Sequence, residues 1–153
     1  MRVFNAIVNF LGNCFFILML SVVLLQVLFR FVLNIGVPWT EELSRLSFIY
    51  LSFIGAAIAF REKSLIRVDT IIEKARGKTL AALKIFINVF TTLFIVVMFI
   101  GSLYMIGLVW PTYFATMQWL SNGWMYIATS CGFGLMIFYT IVSIMAGRKP
   151  KEQ

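Results

Sequence analysis

Four long stretches of the chain consist almost entirely of apolar residues, and shorter polar segments separate them. The apolar stretches cover about residues 5–29, 43–60, 83–109 and 123–146. A helix needs about 20 mostly apolar residues to cross roughly 30 Å of hydrocarbon, and each stretch meets or approaches that length. The pattern predicts an all-α integral membrane protein, with residues 1–153 forming a single domain of four transmembrane helices.

The composition supports the same class of protein. Hydrophobic residues make up 61% of the chain and the mean hydropathy is +0.96, both outside the range of ordinary soluble domains. The first apolar stretch follows Arg2, as in a signal peptide, but it is too long and ends in "VLFRFVLN" without a small-residue cleavage site. We therefore expect this stretch to be retained as a membrane helix.

Charged residues lie almost entirely between the predicted spans. The connection between the second and third spans and both chain ends are basic, whereas "WPTYFATMQWLSNG", before the fourth span, has no charge. Because lysine and arginine near span ends favour the cytoplasmic side, both termini and the basic connection are predicted to lie inside. Such a connection contacts anionic lipid headgroups, so the net charge of +7 does not indicate a nucleic-acid partner.

Single-cysteine variants test this N-in, C-in topology. In a background without Cys14 and Cys131, cysteine at Ser64 or Lys151 is expected to be protected from an impermeant thiol reagent in intact cells. Cysteine at Thr116 is expected to react, because its uncharged loop is predicted to lie outside. Labelling of position 64 from outside would contradict the topology.

Tryptophans gather at the predicted outer ends of the spans. An indole there keeps its N–H in water and its ring among the headgroups, so we interpret these residues as interfacial anchors. They are Trp39, Trp110, Trp119 and Trp124. The aromatic density of the last loop leaves contact with another protein open as a second role.

The basic connection contains a short helical pattern in "IRVDTIIEKARGK". Apolar residues recur there at helical spacing, Thr70 and Glu73 match a capping box, and Gly77 suits a helix end. These features predict an amphipathic helix at about residues 69–76 that lies on the inner membrane surface. Docking of this helix on a partner protein stays open.

Chemistry-bearing residues are scarce. The sequence has no histidine, which argues against a haem b subunit with paired axial histidines. Cys14 and Cys131 both lie inside spans, where a buried packing role is expected, and no Asp or Glu falls near the middle of a span. The first span offers only Gln26 where a small multidrug antiporter needs a carboxylate. We therefore predict no cofactor, no metal site and no enzymatic activity.

Small residues line one face of the second span and recur in the fourth. Lipid tails supply no hydrophobic drive for helix association, so helix contacts favour small residues that allow close backbone approach. The residues of the second span are Arg45, Ser52, Gly55, Ala56 and Ala59, and those of the fourth are Ala128, Ser130, Gly132 and Gly134. Such faces either close the chain's own fold or contact another subunit, and the sequence leaves both possibilities open.

Two carboxylates and an arginine stand at the start of the second span. With the helix entering from outside, Glu41 and Glu42 meet the positive end of its dipole and still reach water. Arg45 lies one turn deeper, at i+4 from Glu41 and i+3 from Glu42. Because Arg45 heads the small-residue face, we expect it to make charged hydrogen bonds within protein.

Residues 30–71 resemble the most characteristic region of the small membrane subunit (DctQ-like) of tripartite ATP-independent periplasmic (TRAP) transporters. The resemblance rests on W-x-E-E-x-x-R at Trp39, Glu41, Glu42 and Arg45, followed by "GAAIAFRE" and "IRVD". Chain length, four spans and inside termini agree with that family. Many members carry a histidine where this chain has Leu65, so no role of that histidine is carried over.

This resemblance implies a small permease subunit of the bacterial inner membrane that transports nothing itself. It would pack on the stationary scaffold of a large multispan subunit, which moves sodium and an organic acid by an elevator motion. A periplasmic substrate-binding protein would deliver the organic acid, such as a C4-dicarboxylate or sialic acid, partly onto the outer loops. The predicted partner interface comprises Trp39, Glu41, Glu42, Arg45, Ser52, Gly55, Ala56, Ala59, Arg61 and Asp69.

Two other classes of function are weighed against this one. A stand-alone four-helix channel or small carrier would need polar groups along a path through the spans, and Gln26, Asn88, Thr91 and Thr92 are few and scattered. A membrane enzyme would need a convergent catalytic set, which the sequence does not show.

Overall fold

A computed structural model describes residues 2–62 and 78–145 of the chain. Four helices make up most of this part: α1 (Arg2–Phe31), α2 (Pro38–Arg61), α3 (Lys78–Val109) and α4 (Gly123–Met145). All four are long and apolar enough to cross a membrane. The predicted amphipathic helix at about residues 69–76, with Asp69, lies outside the described residues.

The connection from α1 to α2 uses residues suited to a tight reversal. Asn34 has a φ of 53°, a left-handed conformation that asparagine adopts more readily than most residues. Pro38 then opens α2, where its missing N–H costs no intrahelical hydrogen bond. The helix begins five residues before the apolar span predicted at 43–60, so Glu41 and Glu42 are part of α2.

The four helices pack side by side in the order α1, α2, α4, α3. Within the described residues, the well-packed helix pairs are α1 with α2, α2 with α4, and α4 with α3. Two helices are therefore central and two lie at the edges. Each helix of such an open row keeps a face that no other described helix covers. Most large apolar side chains of the edge helices α1 and α3 are exposed, whereas most of those on α2 and α4 are buried or half-buried. Cys14 on α1 and Cys131 on α4 are also exposed, so the buried packing role expected for them is wrong.

Close packing between α2 and α4 holds the centre of the row together. A Cβ added to Gly132 would stand 2.6 Å from the Cβ of Phe53, so the two backbones approach closely at this point. Ala57, Met136 and Ile95 form a buried apolar cluster beside it. On α4, Ala128 and Ser130 are also buried, and the Ser130 hydroxyl lies 2.8 Å from the Ser102 hydroxyl on α3. The small residues of the fourth span thus serve the chain's own packing.

Polar contacts join α1 to the central helices near its start. The Arg61 guanidinium donates to Asn9 Oδ1 at 3.1 Å and to Glu62 Oε1 at 2.7 Å, and lies 5.8 Å from the centroid of the Tyr139 ring. The Tyr139 hydroxyl donates to Asn5 Oδ1 at 3.3 Å. Since the side chain of Arg61 is only 15% exposed, this predicted interface residue is used mainly within the chain.

Candidate partner interface

One face of α2 is covered by no other part of the described chain. Glu41, Arg45, Phe48, Ser52 and Gly55 follow one another at alternating steps of four and three residues, which places them on one side of a helix. Glu41, Arg45, Phe48 and Ser52 are exposed, and a Cβ added to Gly55 would meet nothing within 4 Å. We call these five residues the α2 open face.

The α2 open face carries charge at one end and small residues further along. Arg45 Nη2 lies 3.4 Å from Glu41 Oε1, and the two side chains are 58% and 65% exposed. An ion pair that exposed contributes little to the stability of the chain by itself. Further along the face, Ser52 and Gly55 leave room for another helix to approach closely.

Phe48 belongs to this face although the sequence analysis did not include it. Arg45 and Ser52 are seven residues apart, which is about two helical turns. Phe48 lies between them on the same side of the helix, three residues after Arg45 and four before Ser52. Extending the helical spacing through that gap would have identified it. With 57% of its surface exposed, Phe48 is the one large apolar residue among the five residues of the face.

The remaining predicted interface residues lie elsewhere. Ala56 packs against the buried cluster of Ala57, Ile95 and Met136, and Ala59 is half-buried near the C-terminal end of α2. Trp39 is 40% exposed at the start of α2. Arg61 is engaged with α1 and α4, as described above.

Glu42 contacts the loop between α3 and α4, which comprises residues 110–122. Its Oε1 accepts a hydrogen bond from the backbone N–H of Thr116 at 2.9 Å, and its Oε2 accepts one from Met117 at 3.0 Å. The helical spacing brings both Glu41 and Glu42 within reach of Arg45, and in the structure Arg45 pairs with Glu41. The two adjacent carboxylates therefore have different partners.

The α3–α4 loop is folded on itself. Tyr113 and Ser121 form an antiparallel bridge, and the Phe114 N–H donates to the Leu120 carbonyl at 3.1 Å. Phe114 and Met117 are buried under this turn. Two tryptophans of the loop are exposed, Trp119 at 79% and Trp110 at 47%, and Trp124 at the start of α4 is 41% exposed. Their exposure suits the predicted interfacial anchoring and equally suits contact with a protein.

Beside the Glu42 contact, an open cleft of about 470 Å³ lies between the start of α2 and this loop. Pro38, Glu41 and Arg45 line one wall, and the segment 113–116 lines the other. The α2 open face therefore continues at this end onto the loop.

Fold and contacts define a multi-pass helical membrane protein. The sequence model of the family described as "Tripartite ATP-independent periplasmic transporters, DctQ component" matches residues 19–149. The chain belongs to this family. It is a small permease subunit of a TRAP transporter and a multi-pass protein of the bacterial inner membrane.

Three relatives show the same likeness over shorter regions. One relative is a Haemophilus influenzae (strain Rd) protein that is named as a TRAP transporter small permease. It is 42% identical over 57 residues, which are 37% of this chain and 35% of the relative. The sialic acid TRAP transporter small permease SiaQ of Vibrio cholerae is 37% identical over 71 residues, 44% of this chain and 41% of SiaQ. The sialic acid TRAP transporter permease SiaT of H. influenzae (strain 86-028NP) is 30% identical over 69 residues, 45% of this chain but 11% of SiaT. The aligned regions therefore cover well under two thirds of each relative.

Proposed function

We propose that this chain is the non-transporting small subunit of a sodium-coupled TRAP transporter for organic acids. It packs on the scaffold of the large membrane subunit through the α2 open face and has no substrate site of its own. It also helps to form the surface that receives the periplasmic binding protein. The observation that carries this proposal is the α2 open face, a row of charged, aromatic and small residues that nothing in the described chain covers.

The chemistry of that face favours protein over lipid as its neighbour. A surface facing only lipid tails would be mainly apolar, as at the exposed Ile85, Phe86, Val89 and Phe90 of α3, where Asn88 is the polar exception. The α2 open face instead presents a hydroxyl at Ser52 and an unfilled position at Gly55, which are typical of helix–helix contacts. Burial against a partner would also strengthen the hydrogen bonds of Arg45.

The SiaT alignment gives independent support for a large partner. A segment similar to this chain makes up only 11% of SiaT, so SiaT carries that segment together with a far larger remainder. The similar segment and the remainder of SiaT are covalently joined, which is the arrangement expected for two regions that pack against each other. Because SiaT and SiaQ are both named for sialic acid, sialic acid is the first organic acid to test.

The helix row weighs against a stand-alone channel or carrier. Between α3 and α4, a groove beside Thr92 is lined otherwise by Thr140 and apolar residues. The Thr92 hydroxyl donates to the Asn88 carbonyl and that of Thr140 to the Met136 carbonyl, each at 2.8 Å. Both hydroxyls are therefore used within their own helices and offer little to a passing ion or polar solute.

Reconstitution of the chain alone tests the proposal directly. Proteoliposomes that contain only this subunit are expected to show no sodium-dependent uptake of sialic acid or C4-dicarboxylates, because the chain has no carboxylate near the middle of a span. Liposomes with both membrane subunits, supplied with the binding protein, are expected to accumulate substrate when a sodium gradient is imposed. Substrate-specific flux through the isolated subunit would refute the non-transporting role.

A further inference from the structure

We propose that Glu42 is a positioning residue: it holds the α3–α4 loop against the start of α2 in the arrangement that the periplasmic binding protein contacts. The proposal rests on the function proposed above. It assigns to one carboxylate the link between the face that meets the large subunit and the loop that meets the binding protein.

The geometry at Glu42 is that of an anion held by successive backbone N–H groups. Each carboxylate oxygen accepts one hydrogen bond, Oε1 from Thr116 and Oε2 from Met117, at 2.9 and 3.0 Å. Consecutive N–H groups form a concave site suited to an anion, and hydrogen bonds to an ionised acceptor are stronger than neutral ones. The loop contributes no charged side chain, so Glu42 supplies the charge in this contact.

Hydrogen bonds within the loop and at its ends set its shape, but they do not connect it to α2. Phe114 to Leu120, Asn122 to Thr112 and the hydroxyl of Ser121 to Trp110 all close the segment on itself. The two bonds to Glu42 instead connect residues 74 and 75 positions apart in the sequence. They fix the loop to α2, the helix that carries the open face.

The neighbouring glutamate provides a matched comparison. Glu41 has the same side chain, one position earlier in the same helix, yet it pairs with Arg45 and is 65% exposed. One residue in a helix turns the side-chain direction by about 100°, which is why one carboxylate lies on the open face and the next meets the loop. Glu41→Gln therefore removes an equal charge at the same helix end without touching the loop contact.

The contact has a functional consequence through the cleft. One wall of the cleft belongs to the α2 open face and the other to residues 113–116, just where Glu42 binds the loop. A loop held in this way has one position relative to the large subunit. Without the tether, the binding protein would have to order the loop on docking, which lowers the apparent affinity without changing transport once docked.

Hydrogen exchange on the purified two-subunit complex measures the tether itself. Glu42→Gln has the same shape but replaces one acceptor oxygen with a donor that faces an N–H. The amides of Thr116 and Met117 are expected to exchange about tenfold faster than in the wild type. Glu42→Asp, which keeps the charge but is shorter by one methylene, is expected to act in the same direction. Glu41→Gln should leave both amides unchanged, and unchanged exchange in both Glu42 variants would refute the tether.

Uptake measured against added binding protein tests the docking role. In proteoliposomes with the complete system, Glu42→Gln is expected to raise the half-saturating concentration of binding protein by up to about tenfold, because the loop occupies the docking position for a smaller fraction of the time. The maximal rate and the co-purification of the large subunit should stay at wild-type values, because the Glu42 carboxylate binds the loop and, contrary to the sequence-based prediction, is not part of the α2 open face. Tyr104→Phe, on the lipid-exposed side of α3, controls for handling of the variants.

The outcomes separate this proposal from the one on which it rests. Faster exchange with an unchanged half-saturating concentration would refute the docking role of Glu42, while the complex still transports. A loss of maximal rate or of the large subunit in Glu42→Gln would show a general structural role and refute positioning for docking. If the wild-type chain neither retains a large subunit nor supports uptake, the proposed function itself fails.

Discussion

Substitution of Gly132 by leucine is expected to prevent the chain from folding stably, and Gly132→Ala is expected to destabilise it by about 1–3 kcal/mol. The added Cβ would lie 2.6 Å from the Cβ of Phe53 and 3.0 Å from its carbonyl oxygen. These neighbours are main chain and the first side-chain carbon, so no side-chain rotation relieves the clash. The central helices α2 and α4 would have to separate, and the whole row depends on their contact.

Thermal unfolding of the detergent-purified chain measures this effect. Gly101→Ala is the matched control, because a Cβ added to Gly101 on α3 meets nothing within 4 Å. It is expected to unfold at or above the wild-type temperature, since alanine is the better helix former. Equal unfolding temperatures for Gly132→Ala and Gly101→Ala would show that α2 and α4 are not packed as described.

Gly55→Leu, unlike Gly132→Leu, is expected to leave the chain stably folded. It is expected instead to release the large subunit. A Cβ at Gly55 meets nothing within 4 Å among residues 2–62 and 78–145, so the described fold has room for the larger side chain. In the proposed complex, the same side chain would hold the partner helix away, because close approach requires small residues. The measurement is the yield of co-purified large subunit, normalised to the amount of this chain in the membrane.

Arg45 tests the polar end of the same interface. Removal of one member of a buried charged cluster costs about 3–5 kcal/mol, whereas an exposed pair contributes below about 1 kcal/mol. Arg45→Ala is therefore expected to weaken retention of the large subunit and reduce uptake if the face becomes buried in the complex. Arg45→Lys is expected to restore both only in part, because lysine cannot reproduce the planar hydrogen bonding of the guanidinium. Wild-type retention in Gly55→Leu and Arg45→Ala together would place the interface away from this face.

The exposed and buried glycines show how far sequence reasoning reached. Gly55 and Gly132 both stand out in the sequence as members of small-residue patterns in apolar spans, and the same packing rule applies to each. In the structure, Gly132 contacts Phe53 closely, whereas Gly55 has no such neighbour. The rule identifies positions where a backbone can approach, but it does not say which helix approaches.

The carboxylates at the start of α2 give the same lesson for polar residues. Pairing of Arg45 with Glu41 follows from a spacing of four residues, and the structure contains that pair. A rule based on spacing within one helix could not predict the partners of Glu42. Thr116 and Met117 lie 74 and 75 residues away, and their donors are backbone N–H groups that any sequence could supply.

What the sequence determined by itself was the existence of the four membrane helices, the polar start of α2 and the resemblance to TRAP small subunits. The helices follow from the length of the apolar stretches, since hydrocarbon requires every backbone polar group to be satisfied within its own segment. The tertiary structure decided the order of the helices in the row, the side of α2 left open and the attachment of the α3–α4 loop. These depend on contacts between distant segments, such as Gly132 with Phe53, whose energies come from the fit of two surfaces. A pattern within either segment alone does not contain that fit.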